Sequence, residues 1–136
     1  GVCETRSYDG EPAMKLEPLL AKGHLVPGFE TTTENGIIRT AHLFSDLDRA
    51  ENKADAAYSL VYNVLNEMVA SAVDDAQSNG EKHIGITGGV SYDVPIVRMV
   101  EEIASKYDMD IYFHNRVPNG DGGISTRQAS IALRKL

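Results

Sequence analysis

The sequence holds a single cysteine, Cys3, in 136 residues. One thiol excludes an internal disulfide and a zinc site built from cysteines. A reducing, cytoplasmic setting is the expectation. Positive charge is also short: 13 Lys and Arg stand against 20 Asp and Glu, for a net charge of -7. A chain that works mainly by gripping a phosphate backbone carries the opposite sign, so nucleic acid is not an expected partner. No apolar run approaches the roughly 20 residues that cross a bilayer, so no membrane partner is expected. No basic stretch leading into an apolar one opens the chain, and repeats and low-complexity tracts are missing. Several signatures are absent as well: GxxxxGK[ST], GxGxxG, HxxxH, HExxH and the GxSxG elbow. His24, His42, His83 and His114 therefore form no helical metal pair.

Hydrophobic residues make up 42%, enough for one buried core. Pro12 opens an expected helix over Glu11 to Lys22, interrupted by Pro18 and stopped by Gly23. Asn35-Gly36 between β-prone runs predicts a hairpin within His24 to Thr40. Ala41 to Asn52 reads as a loop or helix entry. Apolar residues from Ala57 to Ala76 recur every three or four positions, predicting a long, well-buried helix over Asp55 to Asn79. Strands are expected at His83 to Thr87 and Asp110 to His114, with helices from near Pro95 and over Ile124 to Leu136. Ser125 and Gln128 have the spacing of a capping box, with Asp121 as a rival cap. Alternating strands and helices imply a parallel pair with right-handed crossovers. With the hairpin added, the fold class is α/β with a mixed sheet flanked by helices.

Two glycine-rich turns follow the two later strands. The first is TGGV, Thr87 to Val90. Glycine has no Cβ, so a ligand can lie against the backbone, and a helix N-terminus just beyond offers N–H groups to a phosphate or nucleoside. An ordinary tight turn explains the same letters. Asp93 is either the cap of the helix near Pro95 or a hydrogen-bond partner for a ribose or base. The second turn is NGDGGIS, Asn119 to Ser125. On adjacent parallel strands both turns lie at the C-terminal sheet edge, where α/β proteins bind ligands. Asp121 is there a helix cap, a turn former or a ligand for a hard or borderline cation.

The segments GITGGVSYDVPIVRMVEEI and YFHNRVPNGDGGISTRQASIAL resemble the C-terminal end of the hydrogenase maturation carbamoyltransferases, the HypF family. Those proteins carry a GGVF-type turn, an Asn, and a VP-N-DGGIS-GQA segment. The opening GVCETRSYDGEPAMKLE is similar to their YEGQAAMELE segment. The resemblance implies a ribonuclease-H-like lobe of the actin-like, sugar-kinase-like ATPase superfamily. It implies that residues 1–136 are one unit, the C-terminal fragment of a larger carbamoyltransferase (Kae1-like) domain, inactive alone. The implied reaction is ATP-linked transfer of a carbamoyl group, through carbamoyl-adenylate, to the C-terminal cysteine of a hydrogenase maturation partner. The other implied partners are the remaining domains of the same enzyme. Carried over, Gly88 and Gly89 line the nucleotide pocket, and Gly10 approaches from the other side. Asp93 stands where the family has Asn. Asp121 falls on an acidic ligand to a divalent metal, zinc or iron. The family's histidine metal motif is absent from this stretch. Other readings are a tRNA threonylcarbamoyl or antibiotic O-carbamoyl transferase of the same superfamily, and a non-catalytic nucleotide-binding or interaction module.

Overall fold

The computed structural model describes residues 2–134. In chain order the elements are α1 (Glu11–Leu20), β1 (Thr32–Glu34), β2 (Ile37–Arg39), α2 (Ala41–Ser45), α3 (Lys53–Ser78), β3 (His83–Gly85), α4 (Val94–Ser105), β4 (Asp110–Tyr112) and α5 (Ile124–Leu133). Short 3-10 turns sit at Leu47–Arg49, Gly89–Tyr92 and Asp121–Gly123. Strands β3 and β4 pair in parallel, with Ile84 opposite Ile111, as the alternation of elements requires. Strands β1 and β2 pair antiparallel around Asn35 and Gly36, both at positive φ, the primed turn that suits a two-residue hairpin. The α/β class holds, and both kinds of pairing occur. The hairpin, however, forms its own two-stranded sheet and does not extend the parallel pair. The chain from His24 to Thr31 is irregular, where extended structure was expected.

Helix α3 is fixed at both ends by backbone chemistry. The Asn52 side chain accepts from the Asp55 N–H at 2.9 Å and caps the start. At the other end Gly80 turns left-handed, its N–H reaches the Gln77 carbonyl, and the Glu81 N–H reaches that of Ala76. That pair of bonds is a Schellman closure. Helix α4 ends the same way, with Asp108 left-handed and the buried Met109 bonded back to Ala104.

The core lies where α1, α3 and α4 meet. Leu20, Tyr62, Val69, Val73, Ala76, Met99, Val100, Ile103, Ala104 and Met109 form one cluster. The C-terminal half of α3 buries Val69, Val73 and Ala76 as expected, while Met68 and Ala72 of the same expected stripe are exposed. In its first half the buried positions are instead Ser59 and Tyr62. Ser59 can be buried because its Oγ accepts from the Val26 N–H at 2.8 Å and lies 3.4 Å from the His24 carbonyl. The Tyr62 hydroxyl bonds Glu102 and Lys106, joining the Glu102–Lys106 ion pair to α3. Gly23 lets α1 approach α3: a Cβ there would stand 2.2 Å from the Ala54 carbonyl oxygen. Pro12 occupies the first turn of α1, and Pro18 is accommodated without ending the helix, which stops at Leu20.

The capping box read at Ser125 and Gln128 does not form. Helix α5 starts at Ile124 with Gly123 at its N-cap, so Ser125 already lies inside it, and Asp121 supplies no side-chain cap. The last residues of the expected Ile124 to Leu136 helix lie outside the described residues.

Candidate functional site

The two glycine turns are joined directly. The Gly88 N–H donates to the Asn119 carbonyl at 2.9 Å, and the Gly120 N–H donates to the Tyr92 hydroxyl at 3.2 Å. Thr87 Oγ1 lies 3.3 Å from the same Asn119 carbonyl, and Arg127 reaches both turns. The shared sheet edge expected from the strand order is therefore present. The two glycines of the first turn do different work. Gly88 has φ +94° and ψ 175°, a conformation closed to residues with a side chain, and its N–H is committed to the second turn. Gly89 has open space where a Cβ would stand.

Gly89 is one of the residues lining a cavity of about 510 Å³, with Gly10, Ala13, Met14, Glu17, Val90, Tyr92, Asp93 and Ile96. Three of the sequence-predicted residues, Gly10, Gly89 and Asp93, thus converge on one space, and Glu17 joins them. Gly88 and Asp121 are not among its lining residues. Asp93 takes the capping role weighed for it. Its Oδ1 accepts from the Ile96 N–H at 3.0 Å, capping α4, while the residue borders the cavity. Its carboxylate already occupies the start of α4, and Pro95 has no N–H to offer. An anion site at that helix end is therefore closed. The cavity presents apolar side chains and two carboxylates, a lining that suits a neutral, flat, hydroxyl-bearing group better than a phosphate.

The Gly10 side is held by Glu11. Its Oε2 accepts from the Ser7 N–H at 2.6 Å and the Ser7 hydroxyl at 2.8 Å, while Oε1 pairs with Lys15 at 2.7 Å. Lys15 first, then Ser7, holds the Glu11 carboxyl below its ordinary pKa. Sequence reasoning missed Tyr92, Asn119 and Arg127, whose partners become visible only when the turns are side by side.

The residues present do not fit a metal centre by themselves. No group of three or more His, Cys, Asp and Glu side chains could hold an ion among the described residues, and Asp121 is exposed. A single carboxylate does not complete a coordination shell.

The carbamoyltransferase family model described as "Kae1-like Domain, second subdomain" matches residues 1–128. The chain belongs to the HypF carbamoyltransferase family. It is 34% identical over 139 aligned positions to a probable carbamoyltransferase HypF of Methanocaldococcus jannaschii, covering 99% of this chain and 18% of that protein. It is 31% identical to the carbamoyltransferase HypF of Rhodobacter capsulatus, again covering 18% of that protein. The chain thus spans under a fifth of the length of the HypF relatives it matches. The fold superposes on the crystal structure of T. kodakarensis HypF with a TM-score of 0.82 at 32% identity, over 97% of this chain and 18% of that one. A full-length HypF solved in a phosphate- and nucleotide-bound form gives 0.80 at 26% identity, over all of this chain and 19% of that one. The family reading and the α/β lobe drawn from the sequence are borne out. No helix among the described residues is long and apolar enough to cross a membrane.

Proposed function

We propose that this chain forms one wall of the adenylate pocket of a carbamoyltransferase acting in nickel-iron hydrogenase maturation. The observation that carries the reading is the convergence of Gly10, Glu17, Gly89 and Asp93 on one cavity. The nucleotide-bound HypF relative supports a nucleotide as the occupant. The base lies along Ala13, Met14, Val90 and Ile96, where apolar contact favours a flat ring. The ribose hydroxyls donate to Glu17 and Asp93, charged acceptors that make strong hydrogen bonds. The phosphate lies away from α4, because Asp93 holds that helix end.

In the reaction, the thiolate of a partner protein's C-terminal cysteine attacks the carbamoyl carbon of carbamoyl-adenylate. The new bond is C–S, the bond from carbon to the phosphate oxygen breaks, and AMP leaves. The residues of this chain bind and orient the adenylate, and the nucleophile comes from the partner. Cys3 has no part in it. Any divalent metal at Asp121 needs donors from the rest of the enzyme, which also supplies the carbamoyl-adenylate. The setting is the cytoplasm, residues 1–136 are one unit of a larger Kae1-like domain, and this unit alone does not turn over.

The test is AMP binding by the full-length protein with Gly89→Val. The added side chain enters the open space beside Gly89, so affinity should fall at least tenfold with stability little changed. Unchanged affinity would overturn the pocket assignment.

A further inference from the structure

We propose that Arg127 is a positioning residue that clamps the second glycine turn onto the first. Its purpose rests on the nucleotide reading above, but its geometry does not. Arg127 stands on α5, half-buried. Its Nη2 donates to Thr87 Oγ1 at 3.0 Å, to the Pro118 carbonyl at 3.3 Å and to the Asn119 carbonyl at 3.2 Å. Thr87 follows β3, and the two carbonyls follow β4, so one guanidinium spans the exits of both strands.

The second turn needs such a clamp. Gly120, Gly122 and Gly123 leave its backbone many alternatives, and Pro118 has no N–H to contribute. Asn119 Oδ1 is buried without a hydrogen-bond partner among the described residues, a cost that other bonds of the turn must offset. The Asn119 carbonyl collects donors from Gly88 and Arg127, and the charged donor makes the stronger bond. Helix α5 buries no residue. Among the described residues, Arg127 makes its only side-chain hydrogen bonds to the rest of the fold. Removing the guanidinium frees Asn119 to Asp121 to move, which loosens their bonds to Gly88 and to Tyr92 and so the Gly89–Tyr92 side of the cavity.

The experiment uses the full-length protein with Arg127→Gln, Arg127→Lys and Thr87→Val. AMP binding is measured by calorimetry, and amide hydrogen exchange is followed at Gly88 and Gly120. Arg127→Gln should weaken AMP several-fold, up to about tenfold, the cost of re-ordering a loosened turn when the nucleotide binds. It should also speed exchange at both amides, with the overall melting temperature nearly unchanged. Arg127→Lys should recover part of the affinity, because an ammonium can still reach one acceptor. Adding Thr87→Val to Arg127→Gln should cost less than the sum of the two single changes, since the two residues share one contact. Unchanged exchange at Gly88 and Gly120 would show that no clamp exists. Faster exchange with unchanged AMP affinity would reduce Arg127 to a turn staple and overturn its positioning role. If the wild type binds no AMP, the nucleotide reading fails separately, and the exchange result still decides the clamp.

Discussion

The phenol of Tyr92 meets the backbone of Gly120 twice: its hydroxyl accepts the Gly120 N–H, and its ring edge lies 3.1 Å from where a Cβ on that glycine would stand. Tyr92 therefore sets both the distance and the orientation between the two glycine turns. Tyr92→Phe should keep the ring contact and lose the bond, costing about 1 kcal/mol or less in urea unfolding. Gly120→Ala should cost more, because the ring must also move. Equal losses would show that the ring contact does not matter.

Gly23→Ala should be among the most damaging single substitutions in the chain. The new methyl would fall 2.2 Å from the Ala54 carbonyl oxygen and 2.7 Å from Tyr58 Cβ. Neither is the free end of a flexible side chain, so α1 itself must shift away from α3. Overpacking of this kind costs about 2–3 kcal/mol. Chemical denaturation of the two proteins checks the value, and a loss under 0.5 kcal/mol would show that the helix contact is soft.

The Asp55 carboxyl is held below its ordinary pKa, first by the His24 backbone N–H at 2.8 Å and then by Asn52. The folded state thus favours the ionised form. Its stabilising contribution is complete above the unfolded carboxyl's pKa of about 3.9 and is lost as pH falls through the lower folded value. Melting temperature should therefore drop on acidification below about pH 4, and Asp55→Asn should drop less steeply there. Parallel acid profiles would remove Asp55 from the account.

Asp121 is exposed and makes no side-chain cap, so Asp121→Asn should leave the melting temperature within 1–2 °C, an ordinary surface effect of about 0.5 kcal/mol or less. In the full-length enzyme the same change should abolish carbamoyl transfer. Retained transfer would remove the carboxylate from the reaction.

Local signals in the sequence were reliable where one residue type has one physical use. Asn35-Gly36 formed its hairpin, Gly80 closed α3, and Asp93 capped α4. The parallel pair followed from the order of elements. The signals failed where tertiary context decided. Ser59 and Tyr62 are buried because distant backbone and side chains satisfy their hydroxyls, which no periodicity reveals. The helix at Ile124 follows a 3-10 turn with Gly123 at its N-cap, so a well-spaced Ser and Gln sit two residues too late to cap it. The glycine pair was legible as a turn. That Gly89 lines the cavity, while the Gly88 N–H is spent on the second turn, required the fold.

The cavity draws Gly10 from one end of the sequence, and the turn bonded to its Gly89 side comes from the other. Between them lies the whole α1–α3–α4 core. Closing so long a loop is entropically the most demanding step for the chain and is rewarded only after the intervening helices have docked. On the nucleotide reading proposed above, AMP affinity is therefore a reporter of completed folding. Truncation at either end, or any core change that loosens α1 against α3, should erase it before circular dichroism registers a loss of helix.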